Sequence, residues 1–218
     1  MGNDLVQVVW FSIVTATVST LIMLPLGITL AWVLVRRPFP GQTILETLVS
    51  LPLVLPPVAT GLILLRIVGR RGPVGGLMEN FGIEVLFTWK AVVLAMSVMG
   101  LPLLVRAARA GFEQVDRRYE QIAATLGASP FRVFLTISLP LAKRGILAGA
   151  VLAFARALGE FGATVMIAGV LPGTRTLSTA IYSYTQTGQD TAATALLIAS
   201  ASIAFIAVLV SNRLSAAR

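Results

Sequence analysis

The apolar positions of this chain fall into long unbroken blocks, not into the one-sided stripe of a soluble amphipathic helix. Five stretches, at about 6–35, 44–68, 86–105, 146–170 and 191–211, are long and apolar enough to cross the ~30 Å hydrocarbon core of a bilayer as helices. The pattern predicts an all-α polytopic membrane protein: five transmembrane helices in one domain covering residues 1–218. The first stretch exceeds a single span and contains Pro25 and Gly27, so it is expected to bend, tilt or extend beyond the bilayer. No internal repeat is evident.

Composition narrows the chemistry. The 218 residues are 56% hydrophobic and 12% charged, too apolar for a soluble domain that must cover its core. The formal charge of +8 does not point to nucleic acid, because the Lys and Arg residues sit between apolar blocks without interleaved aromatics. With no Cys and no His, disulfides, thiolate chemistry, imidazole metal ligands and histidine relays are excluded. No catalytic set, metal site or cofactor is expected in this chain.

Five spans place the termini on opposite sides, and the basic residues choose which. Arg36, Arg37, Arg106, Arg109, Arg117, Arg118, Arg132, Lys143, Arg144, Arg213 and Arg218 share one side, against Arg66, Arg70, Arg71, Lys90 and Arg175 on the other. The N-terminus is therefore expected outside and the C-terminus in the cytoplasm. Asp4 precedes the first block with no Lys or Arg, so a cleaved secretory signal is not expected. The cytoplasmic segment, about 106–145 with its loop proper at 112–145, is the place to look for a soluble partner.

Within that loop, Asp116 can cap a short helix that ends at Gly127. Ser129 can cap a second helix with Pro130 in its first turn, apolar residues Phe131, Phe134, Leu135 and Ile137, and a stop at Leu139-Pro140. A helix pair with exposed aromatics suits insertion into a groove on another protein; the bland reading is a loop lying on the headgroups.

Here the chain resembles the conserved cytoplasmic loop of ABC-importer permeases, in which Gly is followed, after nine intervening residues, by Ile-x-Leu-Pro: Gly127, then Ile137-Ser138-Leu139-Pro140. The family's Glu-Ala-Ala aligns with Gln121-Ile122-Ala123; the leading Glu is absent, with Glu120 adjacent. The resemblance implies a coupling helix that docks on a cytoplasmic ATPase through Glu120, Gln121, Ala123, Gly127, Ala128 and Ser129, with Pro130, Phe131, Ile137, Leu139 and Pro140. Leu51-Pro52-Leu53-Val54-Leu55-Pro56-Pro57, the run from Ala155 to Thr164, and Pro172-Gly173-Thr174-Arg175-Thr176 with Tyr182 look like the molybdate permease branch, with sulfate and tungstate permeases as close alternatives. The resemblance further implies a second copy of the chain, two ATPase subunits that bind ATP and Mg, an external substrate-binding protein, and a place in the bacterial or archaeal inner membrane.

Two features mark the membrane path. Arg156 and Glu160 are the only charges deep in the fourth block, and a charge at bilayer depth is costly enough to be a functional candidate. They share a helix face with Gly145, Gly149, Ala153 and Ala157. Arg156 is read as helping an anion past the apolar region; for Glu160 a local i, i+4 ion pair is the favoured reading. In the second block, Pro52, Pro56 and Pro57 must disrupt helical hydrogen bonding, so Leu55, Pro56 and Val58 line either a gate or a structural kink. Five helices without a repeat form one side of a path, and a two-fold homodimer would complete it. No Gly-x-x-x-x-Gly-Lys-Ser/Thr occurs, so ATP hydrolysis belongs to a partner. The rival from another class is an ion-coupled secondary transporter working through Glu160.

Overall fold

A computed structural model describes residues 2–216; Arg218, assigned to the cytoplasmic side above, lies outside them. Eleven α-helices and one π-helical turn account for the regular structure among the described residues: α1 (Gly2–Arg36), α2 (Gln42–Val54), α3 (Pro57–Val68), α4 (Gly75–Asn80), α5 (Trp89–Glu113), α6 (Arg117–Thr125), α7 (Pro130–Val133), the π turn Phe134–Ser138, α8 (Leu139–Leu158), α9 (Gly162–Ala168), α10 (Leu177–Gln186) and α11 (Asp190–Ala216). Four stretches, Asp4–Arg36, Trp89–Glu113, Pro130–Leu158 and Asp190–Leu214, are long and apolar enough to cross a membrane. A fifth span results when α2 and α3, which meet at 117°, are taken as one broken helix.

Several boundaries depart from the sequence expectation for identifiable reasons. The first block is one helix of 35 residues, about 52 Å at 1.5 Å per residue, so it resolves its excess length by extending beyond the core. Span three runs on to Glu113, which shortens the loop. Leu139-Pro140 does not stop the second loop helix: the π turn carries the chain straight into α8, with the Leu139 N–H donating to the Phe134 carbonyl five residues back. Pro140 lacks an N–H to donate, and the wider turn accommodates it in the first turn of α8. The helical stretch that carries the fourth span therefore begins at Pro130 and ends at Leu158, where 146–170 was expected, and the 159–161 region is a break before α9.

The bundle is organised around α5, which lies between α1 and α8 and buries Met96, Met99, Leu104 and Phe112. Small residues bring these helices together, as expected where apolar solvent removes the hydrophobic drive for association. A Cβ on Gly145 would lie 2.7 Å from the Gly111 Cα, and one on Gly149 would lie 2.9 Å from the Ala107 Cβ. The small face of α8 thus meets protein, with Ala153 and Ala157 buried, while Leu147 on the other side is exposed. Hydroxyls tie the periphery. Ser12 accepts from the Leu177 N–H at 2.7 Å, joining α10 to α1, and Ser211 donates to the Ala148 carbonyl, joining α11 to α8. The outer side of α11, including Leu197, Ile198, Phe205 and Leu209, is exposed, as a lipid-facing surface is.

Candidate functional site

The loop between α5 and α8 is a knob of two short capped helices, α6 and α7. The Asp116 side chain accepts from the Arg118 N–H at 2.9 Å and starts α6. Its end is a Schellman turn: the Ala128 N–H donates to the Ala123 carbonyl and the Gly127 N–H to the Ala124 carbonyl, with Gly127 at φ +82°, a conformation that costs an L side chain. Ser129 then accepts from the Arg132 N–H and Pro130 opens α7, both as the sequence expectation had it. The tip carries apolar side chains outward, with Leu126 82% and Phe131 71% exposed and Tyr119 and Ile122 beside them. A surface of this kind is the signature of an interaction site.

The expected coupling residues divide into two sets. Gln121, Gly127, Ser129, Pro130, Phe131 and Pro140 are exposed, and Ala123, Ala128, Ile137 and Leu139 are half-buried. Glu120 turns inward, where its Oε1 accepts from Arg36 Nε at 3.0 Å and from Ser138 Oγ at 2.7 Å. Below it, Phe134 packs edge-on to Trp32 at 5.2 Å and against Phe112 at 6.3 Å. Sequence reasoning missed Tyr119 on the outer face and Arg36, Ser138 and Trp32 on the inner one. Arg36 was legible only as one cytoplasmic cation among many, and nothing in the linear order joins it to a residue 84 positions away.

The second site lies where two interrupted helices meet. Leu55, before Pro56, is forced into extended backbone (ψ 143°), since the ring of a following proline excludes the helical region; Pro57 then starts α3. Pro52 sits inside α2 without ending it. Opposite, α8 ends at Gly159, and Glu160 restarts the chain by accepting the Ala163 N–H at 2.8 Å. Glu160 is 1% exposed and its Oε2 lies 2.8 Å from Arg156 Nη1, so the i, i+4 ion pair is present, with the carboxylate also serving as the cap of α9. Glycines allow the breaks to touch: a Cβ on Gly162 would lie 2.8 Å from the Pro57 Cβ, and one on Gly61 would lie 2.8 Å from the Ala163 Cα. The turn exposes Val54, Pro56, Pro57 and Val58 on the surface of the single chain. Broken helices packed on each other at membrane depth are where irregular backbone is tolerated and where transport paths run.

The two sites are not adjacent. They stand at opposite ends of α8, whose 20 residues measure about 30 Å.

Comparison with known proteins follows the same lines. Residues 23–217 match the family described as binding-protein-dependent transport system inner membrane component. Among curated proteins, the molybdenum transport system permease protein ModB of Escherichia coli (strain K12) is 49% identical over 212 residues, covering 96% of this chain and 93% of that one. The protein of the same name from Haemophilus influenzae is 45% identical over 207 residues, covering 94% and 90%. Among solved structures, a subunit of a bacterial alginate ABC transporter, crystallised with an alginate pentasaccharide-bound periplasmic protein, shares the fold with a TM-score of 0.74 at 20% identity, covering 97% of this chain and 78% of that one. The loop knob, the paired helix breaks and the match along nearly the whole length lead to one assignment: this chain belongs to the inner-membrane components of binding-protein-dependent transport systems, as a multi-pass ABC permease.

Proposed function

We propose that this chain is the membrane subunit of an ATP-driven importer of a small oxyanion, molybdate, and that two copies form the path. The observation that carries the substrate is the 49% identity to a molybdenum transport permease over 96% of the chain. The knob of α6 and α7 docks on a cytoplasmic ATPase, with Leu126 and Phe131 as its apolar anchors, which places the N-terminus outside and the C-terminus in the cytoplasm. An external binding protein delivers the anion to the opposite end, near Arg175, whose guanidinium lies 5.7 Å from the centre of the Tyr184 ring.

ATP and Mg belong to the partner ATPase, since this sequence has no phosphate-binding loop. ATP-driven closure of the two ATPase subunits moves the knobs, and α8 carries the movement to the breaks at Leu55-Pro56 and Gly159-Phe161. The Val54 to Val58 surface, exposed in one chain, faces its copy and forms the gate. A path that must release its cargo binds it weakly, so selection rests mainly on the binding protein. The test is uptake of labelled molybdate by proteoliposomes holding the chain with its ATPase and binding protein. ATP-dependent uptake that tungstate competes and sulfate does not supports molybdate; equal competition by sulfate moves the assignment to the sulfate branch. Uptake by the chain alone, without ATP, would establish the secondary transporter instead.

A further inference from the structure

The loop has an open tip and a locked root. Around Gly127 nothing lies within 4 Å of where a side chain would begin, and the tip is held by its own backbone bonds. The root is held first by a half-buried ion pair: the Arg36 and Glu120 side chains are 9% and 18% exposed. Glu120 Oε1 takes donors from both Arg36 and Ser138. Arg36 Nη2 in turn donates to the carbonyls of Phe112 at 3.2 Å and Val115 at 2.8 Å, at the end of α5. Arg117 adds a second tie, donating to the Val35 carbonyl at 3.0 Å. One carboxylate therefore joins α6 to the ends of α1 and α5 and to the π turn that leads into α8.

We propose that Glu120 is a positioning residue that makes the loop root move as one body with α1, α5 and α8, so that displacement of the knob is delivered to the spans and not absorbed in the loop. The proposal rests on the importer reading above. Position matters here: at ~100° per residue, a carboxylate at 121 would point toward the outer face, where Gln121 is exposed, and would leave Arg36 without its partner. Charge matters as well, because hydrogen bonds between ionised groups are roughly twice as strong as neutral ones. Ser138 closes the π turn, where the hydrogen-bond register of this helical stretch changes, and such turns recur at functional sites.

The test uses the complete transporter in proteoliposomes, measuring molybdate uptake and ATP hydrolysis on the same preparation. The wild type must first show ATP-dependent uptake; if it does not, the importer reading has failed, separately from this proposal. Glu120→Gln and Arg36→Gln are expected to assemble with the ATPase in wild-type proportion and to hydrolyse ATP, while molybdate carried per ATP falls about tenfold. The double variant should lose no more than Arg36→Gln alone, because that change already removes the link to Glu120 together with the ties to Phe112 and Val115. Ser138→Ala, which removes one donor and keeps the pair, should lower the ratio by less. An assembled Glu120→Gln complex with the wild-type ratio overturns the proposal. So does failure of that variant to assemble combined with a wild-type ratio in Ser138→Ala, since Glu120 would then serve docking or folding alone.

Discussion

At the scale of single residues, two glycines are required for different reasons. Gly127 has open space around it but a positive φ, so its constraint is conformational; an alanine there costs about 1–2 kcal/mol of local turn stability. Aspartate tolerates this backbone region better, which makes Gly127→Asp a probe of the surface more than of the turn. It is expected to abolish co-purification of the ATPase while leaving the thermal unfolding of the membrane subunit unchanged; retention of a coupled ATPase would remove the tip from the contact. Gly145 has an ordinary φ but faces the Gly111 backbone, 2.7 Å from an added Cβ. A backbone atom cannot rotate aside, so Gly145→Val should destabilise the α5 and α8 pair by about 1–3 kcal/mol, read as a lowered midpoint in detergent. An unchanged midpoint would contradict the close packing.

At the scale of elements, the interruptions matter more than the helices. The break between α8 and α9 rests on Glu160, which caps α9 and pairs with Arg156. Glu160→Ala removes both and strands a cation at depth, a loss of about 3 kcal/mol. Glu160→Gln keeps an acceptor for the Ala163 N–H and should lose distinctly less. Chemical unfolding of both variants in the same detergent decides: equal losses would mean that the charge alone matters. The loop helices were legible in the sequence because Asp116, Gly127, Ser129 and Pro130 are local signals with local causes. Leu139-Pro140 misled, because a proline that normally ends a helix was taken up by a π turn whose stabilisation comes from Glu120 and Phe134 contacts distant in the chain.

At the scale of the whole molecule, the single chain presents two kinds of apolar surface. The outer side of α11 is exposed and mostly apolar, while the Val54 to Val58 surface sits on a helix break. The absence of native cysteine lets one introduced thiol distinguish them. In the assembled transporter, Val58→Cys is expected to cross-link chain to chain, with a yield that changes when ATP is added, whereas Phe205→Cys on α11 should give no such product. Cross-linking through Phe205 and none through Val58 would place the partner copy on the opposite side of the bundle.

The sequence by itself determined that the chain spans a membrane, where its apolar blocks lie, the caps and bend of the loop, and the small face of α8, because each depends on composition or on residues within a few turns of each other. It also contained the Arg156 and Glu160 pair, since both lie one turn apart. Only the tertiary structure decided that Glu120 pairs with Arg36, that one helical stretch leads from Pro130 through the π turn into the fourth span, and that the two helix breaks meet through Gly61 and Gly162. Those outcomes depend on which distant groups pair with a half-buried charge or permit backbone contact, and such choices are settled when the helices pack.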